Sequence, residues 1–240
     1  MNLTPGGTLE DHDTKIKAAT AGQHSKELRI IEDLLTCCLR GFTRLGAFTP
    51  TGDNQLQHAQ LLLATRSFNS VRCAHELMQP GYYSQALTLI RSAMEDNLTA
   101  LDCAECEATL RALLVGEGRL GQGKLTYTEM AKRQGAGVHK AWKNNYGGLS
   151  EYAAHARRKS LMVLVDPATH NLRLGSYYDR VLFIATCDSL LLAAIGTADI
   201  ISKVLSGDAE PWQRECLPKL EAAIKWRQQI KAKVEAQEDV

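Results

Sequence analysis

The chain carries no excess of charge of either sign. Its 28 Lys and Arg against 27 Asp and Glu leave a formal charge of +1, which argues against a strongly basic nucleic-acid binder. A basic start followed by an apolar core is missing from residues 1–19, so they do not read as a signal peptide. The most apolar stretch, 181–195, is broken by Thr186, Asp188 and Ser189. It is also shorter than the roughly 20 residues of a membrane span, so a core helix with no membrane contact is expected. Internal repeats and strand–helix alternation are both missing, and the latter removes the dinucleotide-binding folds.

Metal and cofactor signals are also thin. The seven histidines include no pair at i, i+4, and no acid-x-x-His run recurs on two helices, so no metal and no cofactor are expected. The glycine-rich segment GEGRLGQG at 116–123 lacks the Gly-Lys-Ser/Thr ending of a phosphate loop and reads as a connector. Seven cysteines, an odd number, suit a reducing cytoplasm. Cys103 and Cys106 form one CxxC without a second pair, which reads as two half-buried thiols rather than a zinc site.

What the chain does have is helical periodicity. With 240 residues it can bury a full core as one domain. Residues 1–22, with Thr4-Pro5-Gly6-Gly7, read as a flexible lead-in, and 23–240 as a single helical-bundle domain. The first helix is expected from His24, with Leu28, Ile31, Leu34, Leu35 and Cys38 at three- and four-residue spacing. A second, over 54–79, ends at Pro80-Gly81, so close to a third over 82–106 that an antiparallel hairpin follows. Short helices are expected over 125–134 and 138–146, with Gly147-Gly148 breaking the chain before Ser150, an N-cap candidate. A short extended run is expected at 161–165. The longest helix, 176–206, is apolar almost all round and belongs in the middle of a bundle. Pro211 opens the last helix and Pro218 predicts a kink or restart. The fold class is therefore all-α: an antiparallel bundle with a short irregular insertion before the penultimate helix.

Certain polar residues sit badly with so much apolar surface. Arg91 and Glu95 are one turn apart at the margin of the apolar stripe of the third helix. Asp188 lies in the most apolar part of the chain, where an unpaired carboxylate would lose several kcal/mol of hydration. It is expected to pair with Arg66, Arg91 or His155, or to capture a backbone amide, with Asp199 pointing the same way. Tyr152 and His155 follow the Ser150 cap on a short helix, and a histidine there could move a proton or hold a phosphate.

Two elements carry a resemblance. One is the Arg91-Ser92-x-x-Glu95 helix after the loop at Pro80-Gly81; the other is Tyr146, Leu149, Ser150 and His155. With these, the chain resembles a family of uncharacterised bacterial helical proteins placed near the HEPN superfamily. The resemblance implies a HEPN-like bundle in which Arg91, Glu95 and His155 converge on one polar site; Arg66, Ser150, Tyr152 and Asp188 are the further candidate binding residues. Many HEPN proteins are metal-independent ribonucleases using an Arg-x4-6-His motif. Here the formal match, Arg133 to His139, falls in a glycine-interrupted stretch and does not carry the activity over. The expected function is a self-associating binding module for RNA or a small anionic ligand. The alternative is a ribonuclease or other phosphodiester hydrolase with His155 as acid or base.

Overall fold

The computed structural model describes residues 8–46, 52–152, 165, 175–205 and 209–238. Among them the regular elements are all helical. They are α1 (Leu9–Leu45), α2 (Gln55–Met78), α3 (Tyr83–Glu105), α4 (Glu107–Leu114), α5 (Tyr127–Arg133), α6 (Ala136–Tyr152), α7 (Arg180–Leu205) and α8 (Ala209–Glu238).

The apolar stripes meet around α7. Ile31, Leu34 and Cys38 of α1, Leu63 and Val71 of α2, Ile90 and Ala93 of α3, and Trp212 and Cys216 of α8 are buried with Leu190, Leu191, Ile200 and Ile201 of α7. Each fully buried Leu or Ile contributes about 1.5–3 kcal/mol, so this shared interior dominates stability. The close approach of α3 to α7 uses Gly196, where a Cβ would stand 2.8 Å from Asn97 Nδ2. The Asn97 amide donates to the Ala193 carbonyl at 2.8 Å, and Thr197 bonds both Asn97 and Ser67. No polar atom of this small ladder is left without a partner inside the core. Helix α7 is also the one described helix long and apolar enough to cross a membrane, with half of its most apolar window buried by its neighbours.

Directions follow from the side-chain contacts. Gln60 reaches the Ala100 carbonyl and Ser67 the Ala93 carbonyl, so α2 and α3 form the expected antiparallel hairpin. Trp212 donates to Cys37 and Trp226 to Glu27, which sets α8 antiparallel to α1. Helix α7 departs from an all-antiparallel scheme. His24 stacks on Phe183 and Cys38 meets Ala194, while Tyr83 receives from the Asp179 amide and Asn97 meets Ala193. It therefore runs parallel to α1 and α3.

Several boundaries differ from the sequence reading. Residues 9–22 are helical: Thr8 and Asp11 cap each other's backbone in a capping box, and Ile16 and Thr20 are buried. The backbone kinks at His24, where φ is −129°, so the expected helix start is a bend between two helical segments. The described part of the insertion before α7 holds α4 as well as the two expected short helices, here α5 and α6. Helix α6 runs straight through Gly147-Gly148, since its i→i−4 ladder tolerates glycine at a cost of about 1 kcal/mol each. Ser150 is thus inside a helix and not its cap. Pro218 likewise lies within α8. Residues 161–164 of the expected extended run lie outside the described residues.

Candidate functional site

Helix α3 presents its polar groups to the elements that follow it. Between Ile90, Met94 and Leu98, which pack inward, Arg91 and Glu95 lie about one-fifth exposed. They meet Tyr146 of α6. Arg91 Nε donates to Glu95 Oε1 at 3.0 Å and its Nη2 to the Tyr146 hydroxyl at 2.6 Å. The Tyr146 hydroxyl in turn donates to Glu95 Oε1 at 2.5 Å, the length of a charge-assisted bond. The guanidinium carbon sits 4.9 Å from the Tyr146 ring centre, and Trp142 stacks on the same ring at 4.1 Å. Burial, and then the bond to Glu95, push the Tyr146 phenol up to about 12. Tyr127 is likewise pushed up to about 12, by burial first and then by the charges of Glu95 and Asp96. Both phenols therefore stay protonated, and Tyr146 acts as a donor.

Two more carboxylates of α3 are buried deeper. Asp96 is 1% exposed and takes a two-pronged grip from Arg66 of α2, with Nε donating to Oδ2 at 2.8 Å and Nη2 bonding Oδ1. Burial raises the Asp96 carboxyl and Arg66 opposes that shift. Asp102 is fully buried and accepts from Arg133 of α5 at 2.8 and 2.7 Å, and from the Thr109 hydroxyl at 2.6 Å. The arginine of the formal Arg-x-His match thus ties α5 to α3 through Asp102. His139 stands on a different helix, α6.

The sequence-selected residues do not all gather. Arg91 and Glu95 come together as expected, and Arg66 lies beside them through Asp96. Asp188 does not pair with Arg66 or Arg91. It accepts from Arg227 of α8 at 2.7 and 3.1 Å, on the side of α7 turned to α8. Asp199 pairs with Lys203 at 2.7 Å in solvent. His155 lies outside the described residues. Ser150 and Tyr152 fall in the last turns of α6, and their side chains lie outside the described set.

Tyr146, Tyr127, Asp96 and Asp102 were not singled out for these contacts. The signal for the two aspartates was available: each falls within the apolar stripe of α3, the same anomaly that marks Asp188. Tyr146 carried a weaker one, an aromatic one turn after Trp142. Among the described residues, no three His, Cys, Asp or Glu side chains are grouped to hold a metal ion. A groove of about 360 Å³ opens between α2 and α3, lined by Leu62, Arg66, Asn69, Ser70 and Leu89 among others, and Arg91 and Glu95 take no part in it. Compared with known proteins, the chain matches no family model, no curated protein and no solved structure.

Proposed function

We propose that this chain is a HEPN-like helical binding module for an anionic ligand, such as RNA or a small phosphate-bearing molecule, rather than a hydrolase. The observation that carries this reading is the closed triad of Arg91, Glu95 and Tyr146. A general base needs an accepting oxygen open to its substrate. Glu95 instead has its Oε1 held by both Arg91 and the Tyr146 hydroxyl, and so ties α6 to α3.

The cation that faces outward is Arg66, whose side chain is 66% exposed over an Asp96 that is 1% exposed. Asp96 fixes the guanidinium through Nε and Nη2 and turns its other N–H groups toward solvent. A pre-oriented guanidinium beside Asn69 and Ser70 suits a phosphate or carboxylate. Self-association in the cytoplasm is part of the same proposal.

The test is incubation of the purified chain with mixed-sequence RNA and with inorganic phosphate, reading binding by anisotropy and calorimetry and cleavage on a gel. Binding without cleavage, weakened several-fold by Arg66→Ala, is expected. RNA cleavage abolished by both Glu95→Ala and His155→Ala would replace the module with a ribonuclease. Affinity that ignores Arg66→Ala would overturn the assignment of Arg66.

A further inference from the structure

The CxxC pair, set aside in the sequence as two half-buried thiols, is divided unequally by the fold. Cys103 lies in the last turn of α3 and is 4% exposed, while Cys106 stands half-exposed at the break between α3 and α4. Cys106 has an extended backbone and occupies the N-cap of α4, with its amide donating to the Asp102 carbonyl at 2.8 Å. Residues 104 and 105 between the two cysteines are helical. Helix geometry then sets the two Cα atoms about 5 Å apart, inside the disulfide range of roughly 4.4–6.8 Å.

The surroundings differ as much as the exposure. The Thr109 hydroxyl first, then its backbone amide and the Arg133 charge, draw the Cys106 thiol below its ordinary range, against the effect of burial. Burial pushes the Cys103 thiol up to about 12. Thr109 donates its hydroxyl proton to the Asp102 carboxylate at 2.6 Å and its amide to the Cys106 carbonyl at 3.0 Å, which fixes the backbone that carries Cys106. An outer thiol favoured as thiolate beside an inner one kept protonated is the division of labour of a dithiol that exchanges with disulfides.

We infer that Cys106 and Cys103 form a reversible thiol–disulfide exchange site that reacts with low-molecular-weight disulfides of the glutathione type. The Cys106 thiolate attacks one sulfur of the small disulfide, forms a mixed disulfide and releases one small thiolate. Cys103, giving its proton to that thiolate, attacks the Cys106 sulfur and expels the second small thiol. Two protein thiols are oxidised and one small disulfide is reduced to two thiols. The closed bond would pin the α3–α4 junction next to Asp102, the carboxylate that fastens α5. This inference is independent of the anion-binding proposal and concerns a different face.

Cys37, Cys38, Cys187 and Cys216 are buried, so the exposed competitor is Cys73. The experiment therefore uses the full chain carrying Cys73→Ser, equilibrated with oxidised and reduced glutathione, quenched with acid, alkylated and mapped by peptide mass spectrometry. A Cys103–Cys106 disulfide is expected in the parent. Added Cys103→Ser should stop the reaction at glutathione on Cys106, and added Cys106→Ser should abolish uptake. Both thiols remaining free in the parent, or glutathione persisting on Cys106 without ring closure, would overturn the inference. The parent arm decides this even where a serine variant folds poorly.

Discussion

The Tyr146 hydroxyl donates to Glu95 Oε1 at 2.5 Å across 51 positions of chain. That one bond joins the third helix of the bundle to the last helix of the insertion, and Arg91 closes it into a ring. A polar group in such a ring has no partner to spare. Removing one member leaves the others desolvated and only partly satisfied.

Tyr146→Phe keeps the ring on which Trp142 stacks and deletes only the hydroxyl. It should lower unfolding free energy by about 1–2 kcal/mol, read from urea denaturation. A double-mutant cycle with Glu95→Gln should show coupling, since one change removes the donor of this bond and the other the charge that strengthens it. Strictly additive losses would show that the bond contributes nothing.

Asp102 has the harsher environment. Asp102→Asn should cost about 2–4 kcal/mol, because it removes the charge that Arg133 and Thr109 address inside the protein. Arg133→Ala should cost a similar amount. Hydrogen exchange should quicken first in α5, the helix that Arg133 anchors, and uniform quickening would place the effect elsewhere.

His24 makes stability depend on pH. It is buried at the α1 kink, stacked 4.2 Å on Phe183 and bonded at 2.8 Å to Tyr178. Burial chiefly lowers its pKa from the ordinary 6.5, opposed by Glu27, and burial lowers His75 in the same direction. Below about pH 6.5 the unfolded chain takes up protons that the folded chain refuses. Stability should therefore fall as pH drops from 7.5 through 6.5, and level off once the folded-state value is passed. His24→Gln should flatten part of that slope in thermal melts; an unchanged slope would remove His24 from the account.

Two glycines should respond oppositely to alanine. Gly81 has φ +93°, and a Cβ there would collide with the Tyr177 carbonyl, so Gly81→Ala combines backbone strain with a clash that cannot relax. A loss of more than about 3 kcal/mol or failure to fold is expected. Gly22 is helical with nothing within 4 Å of a Cβ. Gly22→Ala should raise stability by about 0.5–1 kcal/mol. Melting temperatures of the two variants decide both expectations.

How much of this could be read in the residues depends on the range of the force involved. The α2–α3 hairpin and the central position of α7 follow from apolar spacing and a Pro-Gly turn, which act locally. The partner of Asp188 could not follow: Arg227 lies 39 positions away, and one sequence does not say which face of α8 turns inward. The first half of α1 was hidden for a local reason, since Thr8 and Asp11 form a capping box that the Pro-Gly-Gly stretch before it obscures. Gly147-Gly148 misled in the other direction. Trp142 and Leu149 on either side are buried, and their packing outweighs the low propensity of two glycines. Arg91 and Glu95 were found because a charged pair one turn apart is a local pattern, while the phenol that completes them arrives from another helix.

The shared direction of α3 and α7 imposes a length on whatever lies between them. Chain leaving α3 at one pole must begin α7 beside Tyr83 at the opposite pole, and the 23 residues of α3 make a rod about 34 Å long. A fully extended tether covers at most about 3.6 Å per residue, so roughly ten residues are the least that could bridge the two ends. Shortening the 106–179 segment below that limit would force α7 to reverse, and every contact along its flanks would lose register at once.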